Sequence, residues 1–424
     1  MFKKFSKKYN FNKLVLYSRK VMRSPKNKIL NNLYYAIRSI LAKYLGLYPF
    51  SNGREIFAIL SVLNSGNWNS TYSMNSKVDE AEEQFCRYLN VNHCILVPSG
   101  GVAIEILMRI FKGSEENVFC RHIRHTCPAQ PFAIQRSGVI PVPINSGKSP
   151  FSLPKEIYKN SSKKNLVLST HFWGYPEDLS SIEKKNVIED CCLSLSSYQK
   201  NGAHVGTEGI AGIFSFGVLK PIQAGEGGLI CTNNSDLARE IRIMQNYGNQ
   251  FRINDSNDVV SFGLNGRLSC IQAAIISEQL KTYNNYINLM RSGVYKLKND
   301  LSKLDLPIEL FIPEGYEINQ LGFSAVILKV SSLIYNPFKL ALEKSGIKTF
   351  ETFFQDILSL TYFKKEIIKT FNEEEKKVYL ENIKKNANYY YPDNYIAIPR
   401  KWIPNKYMRE HLKNAILKAF NGIS

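Results

Sequence analysis

The sequence predicts an α/β protein, in which helices cover a central sheet. From about residue 80 onward, helical patterns alternate with short β-rich runs, and this alternation is typical of α/β layered domains. A long helical pattern then leads into a more polar, mixed region. A chain of 424 residues is long enough for two domains and a sizeable core. We expect the ligand of such a domain to bind at the carboxyl ends of its strands.

Most of the predicted elements lie in the first two thirds of the chain. Two helices are predicted at 78–90 (VDEAEEQFCRYLN) and 102–111 (VAIEILMRIF), on either side of a strand in HCILVPSG (93–100). Further strands are predicted at 139–144 (VIPVPI), 166–170 (LVLST), 186–190 (NVIED), 211–218 (AGIFSFGV) and 227–232 (GGLICT). Short apolar runs of this kind are typical of buried strands.

The second region begins with a long helical pattern over 268–304, in which we expect one break. It continues with a predicted strand at 322–330 (GFSAVILKV) and a closing helix at 408–420 (MREHLKNAILKAF). These patterns divide the chain into a basic N-terminal extension (1–50), a large domain (51–285) and a small C-terminal domain (286–424).

Composition places the chain among soluble globular proteins. Apolar residues make up 44% of it and charged residues 21%, which are ordinary values. No window approaches the roughly 18 uninterrupted apolar residues that a membrane-spanning helix needs, and no apolar signal core follows the basic start MFKKFSKKYN. The eight cysteines lack CxxC pairs and histidine partners at metal spacing. This pattern argues against a disulfide scaffold and a metal site, and it indicates a reducing cytoplasm.

The net charge of +19 is concentrated near the N-terminus. Residues 1–54 hold nine Lys and four Arg with no Asp or Glu, and the other 370 residues carry only +6. Apolar residues recur among these cations at roughly helical spacing. A basic amphipathic segment is typical of a peripheral contact with an anionic membrane surface; the alternative is a tail whose apolar face packs on the protein. No nucleic-acid-binding motif accompanies the charge, so we expect no nucleic-acid partner.

Two turns after predicted strands carry candidate ligand-binding residues. In VPSGGVAIEIL, Ser99, Gly100 and Gly101 lie at a strand-to-helix turn, where backbone N–H groups bind anions and glycine lets a phosphate come close. An ordinary tight turn is the alternative. In NVIEDCCLS, Glu189 and Asp190 end a buried strand. A carboxylate there pairs with a cationic cofactor atom or, alternatively, caps the next helix.

The stretch SFGVLKPIQAGEGG places a lysine at the end of an apolar run. Ser215 offers a hydroxyl to a phosphate, and Lys220 lies where an amine reaches a carbonyl carbon. A lysine with that role must be partly desolvated, and we expect Phe216, Val218 and Leu219 to provide apolar surroundings. The alternative is a solvated loop cation.

Asn265 and Arg267 precede the long helix in FGLNGRLSCIQAA, as a capping pair or as a contact with a partner subunit. Along the chain, a phosphate-binding turn is followed by a strand-end Asp and, about thirty residues later, by a Ser-x-x-x-x-Lys sequence. This order suits one cofactor, pyridoxal 5′-phosphate. In such sites the Asp pairs with the pyridinium nitrogen and the Lys holds the aldehyde carbon.

These stretches, together with VGTEGIAGIFSFGVLKPIQAGEGGLICTNN and YIAIPRKWIPNKYMREHL, resemble the DegT/StrS family of fold-type I sugar aminotransferases. The resemblance covers roughly residues 55–415 and leaves the basic extension without a counterpart. It implies a large domain with a mixed, mostly parallel sheet between helices and a smaller C-terminal α+β domain. It also implies a homodimer with shared active sites.

The resemblance implies a role for each matching residue. Lys220 and Asp190 are the expected catalytic pair, which binds the aldehyde carbon and the pyridine nitrogen of the cofactor. The other expected cofactor and substrate contacts are Gly100, Gly101 and Ser215 at the phosphate, Cys192 beneath the ring, Asn265 in the neighbouring subunit's site and Arg267 at a substrate diphosphate.

The chain departs from the family pattern at several positions. Gly101 replaces a Thr, Leu193 replaces a Gln or His, and Gly266 replaces a Tyr. Where the family has an aromatic residue stacked on the cofactor, this chain has Cys127 with His125 nearby, and we expect His125 to stack. The segment FETFFQDILSL replaces a substrate segment rich in His and Tyr.

The activity implied is transfer of an amino group from an amino acid, expected to be L-glutamate, to a nucleotide-linked keto-sugar. Such enzymes serve the biosynthesis of surface polysaccharides such as O-antigen, or of glycans, and we expect a cytoplasmic location with peripheral membrane contact. Two alternatives remain. Dehydratases of the family typically have histidine in place of the lysine, so Lys220 argues against that activity. A non-catalytic regulatory or scaffold protein is the other.

Overall fold

The computed structural model describes residues 54–70, 75–147, 151–180, 182–254, 256, 258–304, 306–349, 356–385 and 394–422, without the side chains of residues 252, 382 and 385. The predicted basic extension, 1–50, lies outside the described residues, as does the first part of the FETFFQDILSL segment. Arg54–Ser424 form one compact unit.

The larger sheet has seven strands. They are β1 (His93–Val97), β2 (Phe119–Ile123), β3 (Ile140–Ile144), β4 (Asn165–Thr170), β5 (Val187–Asp190), β6 (Ala211–Ser215) and β7 (Gly228–Thr232). Their order across the sheet is β1-β7-β6-β5-β4-β2-β3. The five strands from β6 to β3 are parallel, whereas β7 is antiparallel to both of its neighbours. The predicted mixed, mostly parallel sheet is therefore confirmed.

Two details of this sheet differ from the prediction. The strand β2 was not predicted, although it lies between β4 and β3 in the sheet. Strand β6 ends at Ser215, so Phe216, Gly217 and Val218 are not part of it. Beyond the end of the strand, Leu219 adopts a left-handed backbone conformation (φ 67°), which no strand residue adopts.

Helices surround the sheet and continue beyond it. They are α1 (Arg54–Ser65), α2 (Lys77–Leu89), α3 (Gly100–Lys112), α4 (Ala129–Arg136), α5 (Lys155–Lys159), α6 (Ser235–Gln245), α7 (Phe251–Asn254), α8 (Cys270–Leu301), α9 (Tyr335–Lys344), α10 (Glu373–Lys385) and α11 (Lys406–Asn421). Helix α3 packs its apolar face on the sheet, where Ile106 and Leu107 join Ile213 and Ile230 in a fully buried core. This packing fixes the N-terminus of α3 relative to the strand ends.

Helix α8 is continuous over 32 residues, so the expected break is wrong. Gly293 lies within this helix. A Cβ atom at this position would lie 2.5 Å from the carbonyl oxygen of Ile403. Glycine is therefore required for close packing against the C-terminal segment, and it does not end the helix.

A second, three-stranded antiparallel sheet has the order β10-β9-β8. Its strands are β8 (Ile308–Leu310), β9 (Ala325–Val330) and β10 (Tyr395–Pro399). Strand β9 and helix α11 confirm the predicted strand and the closing helix. The boundary at residue 285 falls within α8, and the division into two domains stays a prediction. In the described part of the chain, no helix is both long enough and apolar enough to cross a membrane.

Candidate active site

The candidate residues converge at one edge of the larger sheet. Asp190 is the last residue of β5 and Ser215 the last residue of β6; because these strands are parallel neighbours, both residues lie at the same edge. Gly100 begins α3 beside them. A Cβ atom on Gly100 would lie 2.8 Å from Sγ of Cys192 and 3.2 Å from Cβ of Ser215. Gly100, Cys192 and Ser215 are therefore packed so closely that only glycine fits at position 100.

The start of α3 is built against the glycine turn that follows the lysine. A Cβ atom on Gly228 would lie 2.5 Å from the carbonyl carbon of Ser99, so strand β7 begins in direct contact with this turn. The Ser99 hydroxyl caps α3 by accepting a hydrogen bond from the N–H of Val102 at 3.1 Å. Ser99 thus stabilises the helix start, whose N–H groups at Gly100 and Gly101 face the strand ends.

Asp190 is buried, and each of its carboxylate oxygens accepts a hydrogen bond. Oδ1 accepts one from the backbone N–H of Cys192 at 2.9 Å, and Oδ2 accepts one from the side-chain amide of Gln130. The described residues contain no α-helix between Asp190 and Ser235. The alternative that Asp190 caps the next helix is therefore wrong.

Gln130, which the sequence did not single out, belongs to a buried polar network beside Asp190. Its amide nitrogen also donates to the Thr170 hydroxyl at 3.1 Å, and its amide oxygen accepts a hydrogen bond from the Thr126 hydroxyl at 2.6 Å. All three residues are buried. The one feature of the sequence that could have pointed to Gln130 is its polar side chain in α4, a helix that packs on the sheet.

Lys220 lies in the turn after β6 and is half-buried. Phe216 is buried, but Val218 is 71% exposed and Leu219 is 50% exposed. The expectation that all three residues surround Lys220 with apolar groups is therefore wrong for Val218 and Leu219 within a single chain. Among the described residues no hydrogen bond or ion pair holds the Lys220 amine. The Cys192 thiol is close enough to the Lys220 amine to interact with it electrostatically.

The main chain of Lys220, in contrast, is firmly held. Its carbonyl oxygen accepts hydrogen bonds from the Arg400 guanidinium and, at 3.2 Å, from the Gln223 amide. Arg400 also donates to the carbonyl of Leu219 at 3.1 Å. Neither Arg400 nor Gln223 was a candidate from the sequence, because both contacts depend on the fold.

Cys192 lies near both Asp190 and Lys220, and its thiol is protonated. Desolvation raises the pKa of the Cys192 thiol well above its ordinary value, the Asp190 carboxylate raises it further, and Lys220 opposes the shift. Cys127 is also close enough to contribute. The structure thus brings Cys127 near Cys192, at the position where the family pattern has an aromatic residue.

His125 contacts the C-terminal region. It forms a β-bridge with Asp356, whose carboxylate also makes a two-pronged ion pair with Arg124 at 2.7 and 2.6 Å. Burial lowers the pKa of His125 to about 4, with Asp356 opposing the shift, so the ring is neutral at pH 7. Stacking of His125 on a cofactor stays a prediction.

Asn265 and Arg267 lie on the loop before α8. Asn265 is exposed and forms a β-bridge with Asn246. The guanidinium of Arg267 donates to the Asn246 side chain at 2.6 Å and lies 4.7 Å from the ring centre of Tyr247. Helix α8 is capped by the Ser269 hydroxyl instead. The capping alternative for Asn265 and Arg267 is therefore wrong.

The model of the DegT/DnrJ/EryC1/StrS aminotransferase family matches residues 51–377 of this chain. The chain belongs to this family. It is a pyridoxal-phosphate-dependent aminotransferase, and the resemblance read from its motifs is confirmed.

Several solved structures have a similar fold. An aminotransferase from Psychrobacter cryohalolentis is 18% identical, with a TM-score of 0.73 over 89% of this chain and 99% of that one. Helicobacter pylori PseC, an aminotransferase involved in the biosynthesis of pseudoaminic acid, is 19% identical, with a TM-score of 0.70 over 87% and 96%. The GDP-4-keto-6-deoxymannose-3-dehydratase ColD is 17% identical, with a TM-score of 0.67 over 85% and 97%. At these identities the likeness shows the fold.

The residues of this aminotransferase fit pyridoxal 5′-phosphate. Gly100 begins α3 in close contact with Cys192 and Ser215, and the backbone N–H groups of a helix N-terminus are suited to bind a phosphate. The buried Asp190 carboxylate faces the same edge of the sheet, at the end of β5. Phosphate, pyridine nitrogen and aldehyde of the cofactor thus each have a chemically suitable group in the chain.

One buried cluster in the aminotransferase, His171, Glu189 and Cys191, has the residue types of a metal site. The Glu189 carboxylate, however, accepts four hydrogen bonds, from Nε2 of His171 at 2.9 Å and from three backbone N–H groups. Nδ1 of His171 accepts the N–H of Glu177 at 2.9 Å. Because these ligand atoms are already bonded, the cluster is a structural network that fixes the loops after β4 and β5.

Proposed function

We propose that this aminotransferase moves an amino group from an amino acid, L-glutamate in our assignment, to a nucleotide-linked keto-sugar. The product would serve the biosynthesis of a surface polysaccharide, such as O-antigen, or of a glycan. The observation that carries this proposal is the convergence of Gly100, Asp190, Cys192 and Ser215 near Lys220, whose amine has no hydrogen bond or ion pair within the described part of the chain. PseC, whose fold is similar, is named for a role in pseudoaminic acid biosynthesis.

In this proposal each residue has one task. Asp190 binds the pyridine nitrogen, and its two hydrogen bonds keep the carboxylate oriented. Gly100, Gly101 and Ser215 bind the phosphate. When bound, pyridoxal 5′-phosphate supplies an electron sink for the amino acid's α-carbon.

Lys220 binds the aldehyde carbon and then acts as the acid–base group at the substrate. A lysine amine that moves a proton must not be tied to a fixed anion. The protonated thiol of Cys192 and the absence of an ion pair to Lys220 among the described residues meet this requirement. The hydrogen bonds to the Lys220 carbonyl fix the main chain while the side chain remains movable.

Purified protein with added pyridoxal 5′-phosphate tests this assignment. We expect a visible absorbance band that shifts when L-glutamate is added and returns with a keto-sugar acceptor. Borohydride should fix the cofactor on Lys220, as located by mass spectrometry, and the Lys220→Ala variant should not be labelled at that position. A wild-type protein without the band would overturn the proposal and favour the scaffold alternative. Loss of a sugar hydroxyl without amination would instead favour the dehydratase alternative.

The proposal includes a homodimer whose active sites are shared. Exposed apolar side chains lie on the Lys220 turn, directly after α6 and on the loop before α8: Val218, Leu219, Tyr247 and Phe262. A second copy would cover them, and Asn265 would reach the partner's site. Mixing inactive Lys220→Ala and Asn265→Ala chains should restore activity, because a mixed dimer then holds one intact site. Failure of such mixtures, with dimers confirmed by light scattering, would contradict shared sites.

We also propose that the basic extension makes a peripheral contact with an anionic membrane from the cytoplasm. Its charge supports this proposal, because residues 1–54 contain 13 cationic and no acidic side chains. Vesicles containing phosphatidylglycerol should pellet the full chain but not a chain that lacks residues 1–50. Vesicles of phosphatidylcholine alone serve as the control. Equal pelleting of both chains would contradict the proposal.

A further inference from the structure

A buried arginine from the C-terminal region binds the Lys220 turn. Arg400 directly follows β10 and is 6% exposed. Its Nη2 donates to two consecutive carbonyl oxygens, those of Leu219 and Lys220. These atoms are 180 residues or more apart in the chain. The contact therefore joins the second sheet directly to the main chain of the lysine.

The turn needs such support because its own conformation is unfavourable. Leu219 has a left-handed backbone (φ 67°), which costs a non-glycine residue on the order of 1 kcal/mol. Its side chain is half exposed in the single chain, so packing within the chain contributes little. Within the turn, the N–H of Lys220 donates to Gly217 at 3.3 Å, a long hydrogen bond.

A second hydrogen bond holds the same carbonyl oxygen. Gln223 donates its side-chain amide to Lys220 and exchanges two hydrogen bonds with Gln279 of α8, at 2.9 and 2.8 Å. The Gln pair fixes the residues after the lysine, whereas Arg400 alone binds the left-handed residue before it. Charge-assisted hydrogen bonds from a buried guanidinium are also the stronger of the two.

We propose that Arg400 is a positioning residue for Lys220. It holds the Lys220 peptide in the strained turn, so that the amine, which no described residue binds by a hydrogen bond or ion pair, starts from one place. The proposal rests on the proposed role of Lys220 at the cofactor aldehyde. It assigns Arg400 no contact with substrate or cofactor.

The chain offers a matched control. Arg409 is also buried, at 8% exposed, and its guanidinium donates to the carbonyl of Ile403 at 2.8 Å. It therefore supports the same C-terminal segment without reaching the lysine turn. We compare Arg400→Met, Arg400→Lys and Arg409→Met in the full chain.

Three measurements separate positioning from general stability. They are the rate at which pyridoxal 5′-phosphate becomes fixed to Lys220 by borohydride, hydrogen exchange of the 216–224 peptide, and Tm. We expect Arg400→Met to slow fixation on the order of tenfold and to speed exchange in that peptide. Arg400→Lys should partly restore the fixation rate and the slow exchange of the peptide. Arg409→Met should lower Tm by about as much as Arg400→Met does, but its fixation rate and peptide exchange should equal those of the wild type.

The proposal fails if Arg400→Met matches the wild type in fixation and exchange, or if both Met variants slow fixation in proportion to Tm. A wild-type chain that is never fixed at Lys220 would instead refute the proposed function. In that event the exchange of the 216–224 peptide still decides whether Arg400 holds the turn.

Discussion

The side-chain amide of Gln130 donates a hydrogen bond directly to the carboxylate of Asp190, and both residues are buried. Gln130 is itself oriented by the hydroxyls of Thr126 and Thr170. The carboxylate that we assign to the cofactor nitrogen is thus held from the side opposite its own strand, by a residue of α4. Helix α4 therefore contributes to the site although none of its residues was a candidate.

Replacing Gln130 with Leu should weaken cofactor binding. The change removes a charge-assisted hydrogen bond and leaves the Asp190 carboxylate less oriented, so we expect a loss of roughly tenfold to a hundredfold in affinity. Titration of the apoprotein with pyridoxal 5′-phosphate measures it. Gln135→Leu is the control, because Gln135 lies on the same helix but bonds Thr370 at 3.0 Å, away from the site. Equal affinities of the two variants would contradict the role of Gln130.

Adjacent glycines at the start of α3 should respond differently to alanine. A Cβ atom at Gly100 would meet Cys192 and Ser215, whereas at Gly101 its nearest neighbour would be the Ser99 hydroxyl at 3.7 Å, an ordinary contact. We expect Gly100→Ala to lower the free energy of unfolding by about 1–3 kcal/mol and to abolish cofactor binding. Gly101→Ala should be nearly neutral in urea unfolding. Similar losses in both variants would refute this geometry.

His122 should make the protein less stable in acid. Burial lowers the pKa of this histidine from 6.5 to about 4. Between these pH values, His122 is therefore protonated in the unfolded chain and neutral in the folded chain. The stability present above pH 6.5 is lost as pH falls toward 4, by up to about 3 kcal/mol. Urea unfolding at several pH values should show that the free energy of unfolding falls less steeply below pH 6.5 in His122→Leu than in the wild type. Equal slopes in the two proteins would show that the pKa of His122 is not lowered by folding.

Two partly exposed cysteines should react at different pH. A hydrogen bond from the Cys94 thiol lowers the pKa of Cys86, against the opposing effect of burial. Desolvation and Asp190 raise the pKa of Cys192. Because the thiolate is the reactive form, iodoacetamide should modify Cys86 at a lower pH than Cys192. Peptide mapping of the labelled protein reports both sites, and Cys94→Ala, which removes the donor, should shift the Cys86 profile upward. Faster labelling of Cys192 would contradict the assignment.

The fold was largely predictable because local patterns agree with it. Strands β1, β3, β4, β5 and β7 are short apolar runs, and helices α2 and α3 have clear periodicity, so each is visible in a short window of sequence. The order of a glycine turn, a strand-end Asp190 and Lys220 was enough to predict the cofactor. These features depend on neighbours in the chain.

The rest depends on distant contacts that a sequence does not display. Gln130 reaches Asp190 across 60 residues, and Arg400 reaches Lys220 across 180. The break expected in α8 does not occur, and Gly293 within this helix packs closely on Ile403. The exposure of Val218 and Leu219 likewise could not be predicted, because apolar residues beside a lysine fit a buried run and a subunit contact equally well.

Strand β1 is at the edge of the larger sheet and pairs with β7. The ribosome completes β1 before β7 exists. About 130 further residues must be made, which takes on the order of ten seconds at common rates of synthesis. During that interval β1 and the Ser99–Gly100 turn lack the strand against which they are built. The residues at the phosphate end of the site are thus synthesised well before the strand that completes it. In the interval the apolar strand β1 of the nascent chain is unpaired and in need of protection from aggregation, as chaperones provide.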